Sequence, residues 1–301
     1  KEKEKDKQEA WGWEVLNFQH GGSLGSSAKV ESLSAAAPLV AAGEQLLVPT
    51  VTEAVKDGAL GRALLDRLVD VHRTSPPGSE ARAALTLRAT SWIAKQTGLW
   101  IHLEPWERAA LLVAAAGLHA VPVAPVKALG FKQDLNGILA GEDPLLGQIA
   151  STSSTMLALS TCGLAGQSTC KFLTEEEEKS SSLWRLTQRL QYRARPSRAL
   201  QDLKTVRMLL EADEEPLPFN VEKLQNVSPE EMEEASRAAR ERRLLLAGLV
   251  LSAGDLAYLA LPQKQHLLWA SLAREEKEVG ASAAEWLRGL AETLAIPLYD
   301  T

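Results

Sequence analysis

The stretch from Ser228 to Leu261 constrains the fold more than any other, because one element joins a strong helix start to the longest apolar run in the chain. Ser228 offers a side-chain oxygen to the first free N–H groups, and Pro229 sits where no N–H is needed. Glu230, Glu231, Glu233 and Glu234 place negative charge at the positive end of the helix dipole. The first half of this helix interleaves charge with Met232, Ala235, Ala238 and Ala239, whereas from Leu244 to Val250 every residue except Gly248 is apolar. A helix is therefore expected to pass from solvent into a core, to end near Ser252 and to be restarted by Asp255, with other helices wrapped around its second half. A membrane span over Leu244 to Leu261 is disfavoured. The run is only marginally long, and Asp255 inside it would cost about 2.5 to 3.5 kcal/mol at the centre of a bilayer.

Composition extends this to the whole chain of 301 residues. Ala, Leu, Glu and Arg are abundant while there are three tyrosines and four phenylalanines, so helix formers outweigh strand formers. The expected fold is all-α, an irregular helical array or α-solenoid-like bundle of ten or more helices. Residues 1–28 are expected to be an extended or loop-like N-terminal segment, 29–173 an N-terminal helical region, 174–183 a linker that is acidic then serine-rich, and 184–301 a C-terminal helical region. Within the first region, helices are expected to divide near Pro49, with Thr50 or Thr52 as N-cap and Val55, Leu60, Leu64, Leu65 and Leu68 buried. Ser79 is expected to cap a helix that buries Leu85, Ala89, Trp92 and Ile93 and ends at Gly98. Pro105 then opens a helix in which residues 109–118 are apolar on every side, which makes it central. Shorter helices are expected over 127–140 and 143–159. Pro196 should break the basic region in two, and the last helices should begin at Pro262 and Ala281.

Motifs for catalysis are weak. Gly21-Gly22-Ser23-Leu24-Gly25 matches a hydrolase nucleophile elbow, and Val15 to Phe18 before it could pass for a short strand, but that chemistry needs the serine at the edge of a parallel sheet, and the sheet is missing. The loop lacks the Gly-Lys-Ser/Thr of a phosphate loop, and no histidine or cysteine pair has the spacing of metal ligands. No catalytic residue, metal or other cofactor is expected, and the chain is not expected to be an enzyme. The two cysteines, Cys162 and Cys170, lie in a polar stretch and are expected to be free thiols in a reducing intracellular compartment, cytoplasm or mitochondrion. The chain opens on Lys1 rather than Met, so a trimmed N-terminus is expected, and any targeting signal would not be visible in this sequence.

The strongest surface signal is basic. Arg185, Arg189 and Arg193 recur every four residues and form a stripe on one helix face, followed by Arg195, Arg198, Lys204 and Arg207, with Asp202 the sole acid among them. Trp184 and Tyr192 flank the stripe and could stack on bases or on a partner's side chains. A solvated face, balanced by Glu175 to Glu178, is the plain alternative. Pro262 to Ala273, Phe131 to Ala140 and, more loosely, Pro105 to Leu118 resemble helix openings in organellar helical-repeat RNA-binding families such as the octotricopeptide proteins. That resemblance implies a superhelix binding RNA in mitochondria or plastids. The copies are irregularly spaced, whereas repeat families keep a fixed period, so no family is assigned. With a net charge of −6 the whole surface does not suit nucleic acid, and DNA is not an expected partner. The function expected first is a non-catalytic scaffold or accessory subunit of a larger protein assembly, with eight tryptophans available as contact anchors. RNA binding through the basic surface is the alternative.

Overall fold

In a computed structural model of the chain, the residues described are 38–75, 78–120, 152, 154–159, 161–162, 175–211, 229–257 and 292. Among them there is no strand, and nine α-helices account for most of the backbone. They are α1 (Pro38–Ala42), α2 (Val48–Val55), α3 (Gly58–Arg73), α4 (Ser79–Gln96), α5 (Leu99–His102), α6 (Pro105–Gly117), α7 (Glu175–Arg193), α8 (Pro196–Glu211) and α9 (Pro229–Asp255), with a π-helical turn, Gly43–Leu47, between α1 and α2. Residues 154–159 are also helical.

The helix at the centre is α6. Pro105 opens it, and a capping box ties its first turn: the Glu104 side chain accepts an N–H of that turn while Glu107 accepts the Glu104 N–H at 2.9 Å. Every residue from Ala109 to Gly117 is buried, as its uniformly apolar sequence requires. Six of those nine are alanine or glycine, so neighbouring helices can come close on all sides: α6 packs against α2, α4, α7 and α9. At its end, Gly117 is pressed against Thr155, whose hydroxyl donates to the Gly117 carbonyl at 3.2 Å.

The long element α9 runs unbroken through Ser252 to Asp255, 27 residues and about 40 Å at 1.5 Å per residue. Its continuity past Ser252 differs from the expected break there. The Ser252 hydroxyl turns back to the Gly248 carbonyl at 3.0 Å, a bond that satisfies the side chain without ending the helix. Residues 230–234 are exposed and 247–254 are buried, so the helix does pass from solvent to core. Its inner half lies along α4 and also meets α6, α7 and α8.

Two expected caps are replaced by others. Leu47 stands at the N-cap of α2 and Pro49 lies inside its first turn, while Thr50 and Thr52 donate their hydroxyls at 2.7 Å to the carbonyls of Leu46 and Val48. The division falls instead at Lys56, in the left-handed conformation at φ 62°, and at Asp57, whose carboxylate accepts the N–H groups of Ala59 and Leu60. Before α4, Gly78 takes the cap position at φ 87°, and Ser79 belongs to the first turn with its hydroxyl used elsewhere. Gly98 does end α4, at φ 74°. Leu64, Leu65 and Leu68 are buried in α3 and Val55 and Leu60 are partly so.

One apolar core contains Leu39, Leu68, Leu87 and Leu112 together with Leu183, Leu190, Leu244 and Leu251, so both sides of the stretch 174–183 contribute to it. Residues 175–182 form the start of α7. The break at Pro196 separates α7 from α8 as expected. No helix among the described residues is long and apolar enough to cross a membrane. The expected N-terminal segment, the Gly21–Gly25 motif, the helix over 127–140, Cys170 and the helices from Pro262 and Ala281 lie outside the described residues.

Candidate functional site

The arginine stripe lies on α7, and its two inner members face other helices of the same molecule. Arg189 donates through Nη2 to both carboxylate oxygens of Glu241 on α9, at 2.7 Å each. Arg193 donates to Asp202 on α8 at 2.8 Å and has Glu241 at 3.6 Å. Asp202, 2% exposed, also lies 3.2 Å from Arg198. The arginines therefore form a clasp in which α7 is tied to α8 by one acid and to α9 by another. Hydrogen bonding from Arg189 pulls the Glu241 carboxyl below its usual range, which outweighs the opposite push of partial burial. Gly248 makes the clasp fit: a Cβ there would lie 2.7 Å from the Cβ of Arg193.

The remaining candidates divide by position. Trp184 is half-buried and packs against the core. Arg185 is exposed. Tyr192 is about half exposed, with the Arg195 guanidinium over its ring at 4.7 Å, so these two occupy each other rather than standing open as independent stacking groups. Arg198 also donates to Gln201 at 3.1 Å. Lys204 and Arg207 are exposed on α8, next to exposed Met208 and Leu210. What reaches solvent is therefore a mixed surface of a few cations, one aromatic pair and aliphatic side chains.

A second polar group, invisible as a motif, is buried where α3, α4, α6 and α9 end or begin. The His72 ring bridges the Ala116 carbonyl, 2.7 Å from Nε2, and the Ser79 hydroxyl, 2.7 Å from Nδ1. The Ser79 hydroxyl is 2.6 Å from the carbonyl of His119. The His119 side chain donates from Nε2 to Asp255 Oδ1 at 2.7 Å, and Arg82 approaches the same oxygen at 3.5 Å. Burial alone would raise the Asp255 carboxyl, but His119 and Arg82 overcome it and hold the group at about 2. Burial pushes His119 down, so the ring serves as an N–H donor to a carboxylate already held by Arg82. His72 is lowered to about 4, chiefly by burial.

This serine and these histidines do not assemble a hydrolytic triad. Such chemistry needs a serine whose proton passes to an imidazole that a carboxylate orients. Here the imidazole beside Ser79 is oriented by a backbone carbonyl, the carboxylate belongs to the other histidine, and Ser79 is 4% exposed. Among the described residues no group of three or more histidine, cysteine or acidic side chains could hold a metal ion. Cys162 is a free, half-buried thiol that burial raises above its ordinary value.

Sequence reasoning found the arginines but missed Glu241, which lies 48 residues beyond Arg193 and carries no local sign of pairing. For the buried cluster one signal existed. Asp255 interrupts an otherwise apolar run, and a charge in such a run needs a partner. No protein-family model matches the chain, and no curated protein is significantly similar to it.

Proposed function

We propose that the chain is a non-catalytic α-helical scaffold or accessory subunit that joins other protein subunits through the exposed face of α7 and α8. The observation that carries this reading is the internal engagement of the stripe: Arg189 and Arg193 are committed to Glu241 and Asp202. That leaves Arg185, Tyr192, Arg195, Lys204, Arg207 and Met208 as a surface part basic and part apolar. Arginines already bound to carboxylates neutralise few phosphates, which disfavours RNA, whereas aromatic, methionine and arginine side chains together suit a protein contact. An irregular, solenoid-like array of ten or more helices over the whole chain belongs to the same reading. So does a reducing intracellular setting, cytoplasm or mitochondrion, supported by the small number of cysteines in the sequence.

The test is a double charge reversal, Lys204→Glu with Arg207→Glu. Both side chains are exposed, so the helical spectrum and unfolding free energy should stay within about 0.5 kcal/mol of the parent. Subunits that associate with the parent chain should be lost, and reversal of acidic residues on the partner should restore them. Unchanged association would remove this face from the account. If the purified chain instead shifts RNA at physiological salt, and Arg185→Gln with Lys204→Gln and Arg207→Gln abolishes the shift, the RNA alternative is correct.

A further inference from the structure

Around His72 there are three hydrogen-bonding contacts but, with a neutral imidazole, only two protons to fill them. A carbonyl can only accept, so the 2.7 Å contact with Ala116 requires the proton on Nε2. The 2.6 Å contact with the His119 carbonyl likewise uses the single hydroxyl proton of Ser79. The third contact, Nδ1 to Ser79 Oγ at 2.7 Å, then sets one lone pair against another. If the hydroxyl turns toward Nδ1, the His119 carbonyl loses its donor instead. A proton on Nδ1 ends the competition: both ring nitrogens donate, to Ala116 and to Ser79, and Ser79 donates to His119.

We propose that His72, Ser79 and the His119 carbonyl form a proton-gated joint between the end of α3, the start of α4 and the residues after α6, one hydrogen bond short at neutral pH and completed by uptake of one proton at Nδ1. Burial of both side chains, at 3% and 4% exposed, keeps water from supplying the missing bond. His119 also donates through its ring to Asp255, so the same residue carries the joint to the end of α9.

Burial, more than the surrounding charges, sets where the gate operates. The charged groups nearest in the chain are Glu80 and Arg82 at the start of α4, His119 after α6, Asp255 at the end of α9, and on α3 itself Arg73, which is paired with Asp70 at 3.2 Å; of these His119 acts on His72. α1 brings no ionisable side chain. Glu44 of the π-helical turn is paired with Arg62 at the opposite end of α3, Glu53 of α2 with Arg108, and Lys56 is exposed. Burial lowers His72, the Ala116 bond raises it, and His119 lowers it further, to about 4. The joint therefore closes in acid.

The test is nitrogen-15 NMR of the imidazole rings in the full chain, titrated with acid. At neutral pH His72 should be the Nε2–H tautomer, and acid should add its proton at Nδ1, read as an upfield shift of that nitrogen. Ser79→Ala removes the acceptor of the new Nδ1–H, so the His72 midpoint should fall by about one pH unit or more. An Nδ1–H tautomer at neutral pH, or a midpoint unmoved by Ser79→Ala, would overturn the proposal. The tautomer is read on the unaltered chain, so it decides the matter even if the variant does not fold.

Discussion

Glu107 shows what a single buried charge does in this molecule. It is 3% exposed and carries a whole junction: the Glu104 N–H donates to Oε2, and Arg243 of α9 donates through Nε to Oε2 at 2.9 Å and through Nη2 to Oε1 at 3.1 Å. Removing it would leave Arg243, whose side chain is only 16% exposed, with the exposed carboxylate of Glu104 at 2.9 Å as its remaining acid among the described residues, and would open the first turn of α6. Glu107→Ala should cost about 1 to 3 kcal/mol in urea unfolding, with an unchanged dependence on denaturant. Glu241 is bound by Arg189 at shorter distances but is nearly half exposed, so Glu241→Gln should cost no more than about 1 kcal/mol. The buried cluster adds a dependence on pH. His72 has a folded value of about 4 against 6.5 when free, so between those values the unfolded chain binds the extra proton and stability falls as the solution is acidified. The loss by pH 4 is about 3 kcal/mol at 1.36 kcal/mol per unit. Asp255, held at about 2 against an ordinary 3.8, contributes stability that is present above 3.8 and is lost as pH falls through 2. Denaturation followed from pH 7 to pH 4 should show the first slope, and His72→Gln should flatten it.

Element boundaries were legible where side chain and backbone want the same thing. Pro105 opens α6, Gly98 in the left-handed region closes α4, and Pro196 separates α7 from α8, each because that residue type suits that backbone better than most others. Hydroxyl residues were less informative. Ser79, Thr50, Thr52 and Ser252 all have partners other than the expected caps or breaks, because a hydroxyl can turn equally to a carbonyl within its own helix or to a distant one. The basic stripe was legible as a spacing on α7, but its acids lie on α8 and α9, and pairing between helices leaves no trace in local sequence. Close approach of helices is similarly hidden. A Cβ on Gly254 would meet the backbone N of Thr90 at 2.9 Å, so Gly254→Ala must push α9 away from α4. It should destabilise by about 1 to 3 kcal/mol in thermal melting, whereas Gly98→Ala, with nothing near it but a φ of 74°, should cost only the backbone strain of about 1 to 2 kcal/mol.

At the scale of the whole molecule, a scarcity of strand formers and the uniformly apolar sequence of α6 made the helical class and its centre legible. The use of the fold was far less so, because the proposed scaffold role needs no reactive constellation and would draw its specificity from the shape and charge of a face. The pairing of Arg189 and Arg193 with Glu241 and Asp202 changes that face: a continuous cationic stripe becomes a clasp between helices, with Arg185, Lys204, Arg207 and Met208 left exposed. The most direct test is to isolate the native protein with its companions at physiological salt, with and without ribonuclease, and to compare what travels with it. The scaffold account predicts a defined set of proteins in fixed proportion, unchanged by ribonuclease and released by Lys204→Glu with Arg207→Glu. Companions that ribonuclease strips away, leaving a chain that binds RNA by itself at that salt, would contradict it.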